Sequence, residues 1–186
     1  MTFLNFYFSS SKNGTAFPFE LVVEHHFTTF PSDSLNAIIG KINSVVLKPN
    51  RTFSFWKTVG KNDENEEILS RAAGIIYHLA LLGGLRILER HYCETDFFTD
   101  ENRPFPLGTD AWVSQNNKDL KIKNIHDFLI KFQIEISDEK IVGKLLSSKK
   151  IIPNKLEFKR IDYPNRKEIY TRINRRTVAV SSYKNL

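Results

Sequence analysis

The stretch NDENEEILSRAAGIIYHLALLGG, residues 62–84, constrains what this chain can fold into more than any other. Ile68, Ala72, Ile75, Ile76, Leu79 and Leu82 recur at helical spacing and form a broad apolar stripe. Asn62 or Asp63 is placed to cap the helix, Glu64, Glu66 and Glu67 suit the positive end of its dipole, and Gly83-Gly84 ends it. A helix of about twenty residues this apolar toward its C-terminal end belongs in the interior. It predicts a chain built around one buried central helix.

Around that helix the sequence reads mostly as strands. Residues 2–8 and 17–30 predict two, the second through FELVVEHHFTTF, which is rich in β-branched and aromatic residues. After Pro31, SDSLNAIIGKINSVVL sets Leu35, Ile38, Ile39, Ile42 and Val46 at helical spacing, with Ser32 or Asp33 as its cap. LKPNRTFSF predicts a turn feeding a strand, with Phe53 and Phe55 on one face. LRILER predicts a strand that delivers His91 and Cys93 to its end, and RPFPLGTDAWVS a loop leading into another. In DLKIKN, Leu120 and Ile122 alternate with Lys121 and Lys123. DFLIKFQIEIS continues the pattern to a turn at Asp138 and Glu139, and the tail predicts two further strands separated by PNR. Fifteen Phe residues fit an aromatic-filled, β-rich core. The fold class is α+β: a mainly antiparallel sheet packed around the central helix and a second, N-terminal one.

Length and composition narrow the rest. With 186 residues the chain suffices for one domain spanning 1–186. A single cysteine excludes an internal disulfide framework and a structural zinc site. The N-terminal apolar run lacks a basic region and breaks at Ser9, so the expectation is a soluble, cytoplasmic chain with no membrane span. From Lys149 onward eleven basic residues face three acidic ones, so residues 149–186 carry +8 and the first 148 residues −2. Such a tail suits an anionic partner, with Arg160, Arg166, Arg172, Arg175 and Arg176 as its contacts, nucleic acid among the possibilities. The alternative is a solvated strand pair. No cofactor-binding motif is present.

Two segments carry a family resemblance. KINSVVLKPNRTFSFWKTVG, residues 41–60, resembles the opening signature of the VanW family, and residues 85–124 resemble its second half through the ERH strand end, the NRPFPLG turn and DLKIKN. RKEIYTRINRRTV is similar to the closing strand. The resemblance covers most of the chain from about residue 25. It implies a cell-envelope context, with a cell-wall peptide or glycan component as the natural ligand. It also implies a glycine-rich turn presenting a cysteine at the start of the central helix, with a histidine pair on the next strand. A thiol at a helix N-terminus beside a histidine is how a low-pKa nucleophile is built. This chain departs there: KNDENEE replaces the longer loop, Glu66 and Glu67 stand where glycines would be, the cysteine position falls on Ser70 and the second histidine position on Cys93. The reading that results is a degenerate, non-catalytic binding domain, whose shortened loop leaves a gap that a partner protein could fill.

The candidate site residues follow from both lines. In a regular strand Glu89, His91 and Cys93 share a face, so a cysteine nucleophile, its base and an orienting carboxylate are the enzymatic alternative, a hydrolase or acyl-transferase on cell-wall peptides. Ser70 lacks an evident base, and its hydroxyl is expected to bond the carbonyl one helical turn back. Glu89 and Arg90 are expected to pair with each other's neighbours or with Asp110, and Arg90, His91, Asp110 and Ser70 are the positions for a bound ligand. His25 and His26 are adjacent and so point to opposite faces of a strand, which argues against one metal between them.

Overall fold

The computed structural model describes residues 6–10, 16–26, 33–100, 103, 105–137 and 140–185. The strand expectations at residues 2–5 and 27–30, the Ser32 cap, the turn at Asp138 and Glu139 and the side chain of His26 fall outside what is described.

The elements run β1 (Phe6–Ser10), β2 (Phe19–His26), α1 (Asp33–Ser44), β3 (Val46–Leu47), β4 (Thr52–Ser54), α2 (Phe55–Val59), α3 (Glu66–Leu82), β5 (Arg86–Glu89) and β6 (Thr95–Asp96). The chain continues through β7 (Lys121–Lys123), β8 (Ile130–Ile136), β9 (Lys140–Ser147), β10 (Leu156–Tyr163), β11 (Arg166–Ile173) and β12 (Arg176–Asn185). Three sheets result, in the orders β1-β2-β9-β8-β3, β4-β7-β5 and β10-β11-β12-β6. Every pairing is antiparallel except β12 with β6, where Lys184 and Asn185 lie opposite Thr95 and Asp96. The fold is α+β.

Helix α3 is the predicted central helix, and it is buried more completely than an amphipathic stripe requires. Every residue from Ala72 to Leu82 is buried, the polar His78 included. Its N-cap is Asn65, not Asn62 or Asp63: the Asn65 side chain accepts from Glu67 N at 2.7 Å, while Asn62 instead receives Glu64 N in a preceding turn. The C-terminus closes as a Schellman motif, with Leu85 N donating to Ala80 O, Gly84 N to Leu81 O, and Gly84 in the left-handed region at φ 68°. On strand β9, Gly143 makes room for the helix: a Cβ there would come within 2.8 Å of Ile75 Cγ1 and 3.0 Å of Leu79 Cδ1.

Three sequence expectations need correction. Phe53 and Phe55 are both core residues, but Phe55 starts the short helix α2, which Ser54 caps by accepting from Lys57 N. The segment Asp110–Val113 is not a strand. It is held by Trp112 N donating to His91 O and Val113 N to Ser70 Oγ, one backbone bond and one hydroxyl rather than a ladder. The C-terminal region holds three strands, because Asn174 and Arg175 take positive φ (49° and 68°) and form a two-residue hairpin turn between β11 and β12. Strand β9 was also unforeseen. Among the described residues no helix is long and apolar enough to cross a membrane.

Candidate functional site

A cavity of about 400 Å³ opens beside the N-terminal half of α3. Glu67, Ser70, Arg71 and Gly74 recur at helical spacing and present one face of the helix to it. The stretch from Cys93 to Phe98 and the loop around Phe105–Trp112 form the opposite wall. His25 of β2 and Tyr183 of β12 complete the lining, so residues far apart in sequence meet here. Phe98 and Phe105 meet edge to face at 6.0 Å, and Arg71 lies over the Phe98 ring at 5.6 Å. Phe97 is 61 % exposed beside the cavity.

Behind the wall runs a buried polar network. Arg90 donates from Nε to Asp110 O at 2.8 Å, from one terminal nitrogen to Asp110 Oδ1 at 2.9 Å and from the other to Ser181 Oγ at 2.6 Å. Its guanidinium packs over the Tyr77 and Tyr92 rings at 5.0 and 5.3 Å. The Tyr183 hydroxyl donates to Asp110 Oδ1 and accepts from Gly108 N at 3.1 Å, and Cys93 N donates to Asp110 Oδ2 at 3.0 Å. Burial, and then the neighbouring Asp110 carboxylate, push the Tyr183 hydroxyl far up and keep it neutral. Asp110 therefore ties its loop to Arg90 and to Tyr183 of the C-terminal sheet through Oδ1, and to the Cys93 backbone through Oδ2.

Ser70 and Cys93 line the same cavity, but Glu89 and His91 do not. Strand β5 ends at Glu89, so residues 91–93 leave the regular strand and the shared face expected of Glu89, His91 and Cys93 is lost. His91 Nε2 sits 3.1 Å from Glu89 Oε1, and Glu89 is held by Lys121 Nζ at 2.6 Å, which keeps its carboxyl below the usual range. Among the described residues no hydrogen bond joins the Cys93 thiol to an imidazole. Burial pushes that thiol up, only partly offset by a backbone hydrogen bond from Thr95. Ser70 bonds across to the backbone of Val113, accepting from its N–H at 3.0 Å, rather than to the helical turn behind it.

The five tail arginines are spread over the C-terminal sheet. Arg160 is held by Asp100 and Asp162 at 2.7 Å each, and Arg166 by Glu168 at 3.2 Å with its guanidinium over Tyr163. Arg172, Arg175 and Arg176 lie at the other end of β11, roughly 20 Å away by strand rise. Arg175 is itself a turn residue.

Several residues in and behind the cavity wall escaped sequence reasoning. Asp96, 2 % exposed at its side chain, accepts from both Arg103 nitrogens at 2.6 and 2.7 Å and from Lys167 at 2.7 Å. His25 Nε2 meets His78 Nδ1 at 3.1 Å beside Phe105, and His78 Nε2 is buried with no hydrogen-bond partner among the described residues. The one legible signal was His78 itself, a lone histidine in an otherwise apolar helix. Among the described residues no group of three or more His, Cys, Asp or Glu side chains is arranged to hold a metal ion.

This geometry sits within a stretch that known proteins share. Residues 69–146 match the family model described as VanW like protein. Over those residues the chain is VanW-like. It is similar to the Vancomycin B-type resistance protein VanW of Enterococcus faecalis, 26 % identical over 126 residues, which is 58 % of this chain and 46 % of that protein. The chain thus spans about half the length of the curated relative it matches. No solved structure matches. The VanW match begins on α3 and ends on β9, so it contains Ser70, Arg71, Gly74 and the whole wall from Cys93 to Trp112. His25 and Tyr183 lie outside it, on β2 and β12.

Proposed function

We propose that this VanW-like chain is a non-catalytic binding domain associated with glycopeptide resistance, and that the cavity beside α3 receives a cell-wall peptide or glycan component. The resistance context comes from the name of the Enterococcus relative, and the ligand from the cell-envelope setting of the family it resembles. One observation carries the non-catalytic reading: the cavity holds a thiol and a hydroxyl, and among the described residues neither is hydrogen-bonded to a basic side chain. Cys93 is pushed up by burial, His91 is turned to Glu89, and the Ser70 hydroxyl is bonded to Val113. A nucleophile needs activation by an adjacent base or a lowered pKa, and both are missing here among the described residues.

The test is the rate of Cys93 alkylation against pH in the wild type and in His91→Ala. A slow thiol that ionises above about 8.5 and ignores the loss of His91 supports the binding reading. A thiolate that titrates well below that value, and moves up in His91→Ala, overturns it in favour of a cysteine-dependent acyl-transfer enzyme. Titration of muropeptides against the wild type and Gly74→Ala, whose added methyl meets the 109–111 backbone at ordinary contact distance on the cavity's helix side, then tests the ligand.

A further inference from the structure

We propose that the group entering this cavity is uncharged: an aromatic or branched apolar group carrying a single hydrogen-bonding atom that His25 reads. This rests on the cavity being a ligand site, and it narrows what such a ligand presents.

The argument is a charge account of the wall. Every ionisable carboxylate and guanidinium that lines the cavity has an opposite partner within the protein. Glu67 holds Arg71 at 2.9 Å, Asp96 holds Arg103 at 2.6 Å, and Asp110 holds the buried Arg90 at 2.9 Å. Asp96 also takes Lys167, whose charge is balanced where Arg103 reaches Asp100 at 3.5 Å. A ligand carboxylate or ammonium would have to break one of these pairs or enter without a counter-charge, and a desolvated unpaired charge is costly. What remains for recognition is apolar surface from Phe98, Phe105, Trp112 and Leu107, with uncharged polar groups such as Thr95 beside it.

His25 adds a hydrogen-bonding atom whose role can switch. It lines the cavity, and its Nε2 is committed to His78 Nδ1, which leaves Nδ1 as its remaining polar atom. A pair of neutral imidazoles sharing one proton has two arrangements. With the proton on His25 Nε2, His25 Nδ1 is an acceptor; with it on His78 Nδ1, His25 Nδ1 carries hydrogen and donates. The pair can therefore match a hydroxyl, a carbonyl or an amide without acquiring charge. Burial, and then the second imidazole, hold His25 well below its ordinary value, which keeps it neutral.

The experiment uses four probes of one shape: 2-naphthalenemethanol, 2-methylnaphthalene, 2-naphthoate and 2-naphthylmethylammonium. Two readouts report on the cavity, the Trp112 indole resonance and protection of Cys93 from iodoacetamide. Trp56, which does not line the cavity and donates from its indole to Lys118 O, is the internal control. The alcohol is expected to bind about tenfold or more tightly than the carboxylate or the ammonium. His25→Phe is expected to lower the alcohol to the level of the hydrocarbon and leave the hydrocarbon unchanged. Equal or tighter binding of either charged probe overturns the uncharged class while leaving the cavity a site. Indifference of Trp112 and Cys93 to all four probes overturns the site as well. The wild-type comparison decides between these outcomes even if His25→Phe does not fold.

Discussion

Arg90 illustrates how a single residue ties this molecule together. Its three hydrogen bonds reach a backbone carbonyl and a carboxylate of the 110 loop and a hydroxyl on β12, while aromatic rings flank it. Such a pair adds less than it seems to net stability, but removing one partner strands the other. Arg90→Met is expected to destabilise the fold by about 3–5 kcal/mol, as measured by urea unfolding. Tyr183→Phe removes only the hydroxyl between Asp110 and Gly108 N and is expected to cost about 1–3 kcal/mol. His78 sets the acid limit at the same scale. Burial lowers it to about 4 from its ordinary value of about 6.5, so the native state keeps it neutral where the unfolded chain protonates it. Stability is then fully present above pH 6.5 and falls as the pH drops toward 4, by about 3 kcal/mol if this histidine acts alone. Thermal unfolding across pH 7 to 4.5 should show that slope in the wild type, and His78→Leu should reduce it to the part that the buried His25 contributes. A variant with the same slope would place the acid sensitivity elsewhere.

At the scale of elements, what was legible and what was not have a physical division. The central helix could be read because its apolar period runs unbroken from Ile68 to Leu82 and ends on two glycines. The Leu120–Lys123 alternation could be read because one face is buried and the other is not. Strand β9 was missed because KIVGKLLS carries a glycine, which lowers strand propensity. That glycine is placed by the helix, a contact that no local pattern reveals. Gly143→Ala would press a methyl against Ile75 and Leu79 and is expected to cost about 1–3 kcal/mol in chemical unfolding. The hairpin turn after Ile173 was missed for the opposite reason. Asn174 favours positive φ, but Arg175 at φ 68° does not, and Arg-Arg reads as charge rather than as a turn. Arg175→Gly should therefore stabilise the hairpin by about 0.5–1 kcal/mol, seen as a raised Tm. The Arg90–Asp110 pair was one of the pairings that two charges at a strand end left open. The His25–His78 pair was not, because it depends on which strand packs on α3.

The cavity belongs to the whole molecule rather than to the matched segment. Residues 69–146 supply most of the helix face and the opposite wall, but Glu67 precedes them, β2 supplies His25 and β12 supplies Tyr183. The core follows the same division. Leu21, Val23, Leu35, Ile38, Ile42, Leu47, Phe53 and Phe55 are buried with α3 in one cluster, and none lies in the matched segment. Strand β9 sits between β2 and β8, so excising residues 69–146 would also turn it into an exposed apolar edge. A fragment of 69–146 is thus expected to show no cooperative thermal transition, whereas the full chain should show one. A finer cut separates fold from site. Removing residues 176–186 takes away β12 with Ser181 and Tyr183, but leaves the α3 core and the five-stranded sheet untouched. That truncated chain should keep its helical far-UV signal while Cys93 becomes several-fold faster to alkylate, because Asp110 loses its tyrosine and Arg90 its serine. An unchanged alkylation rate would mean that the cavity wall stands without the C-terminal sheet.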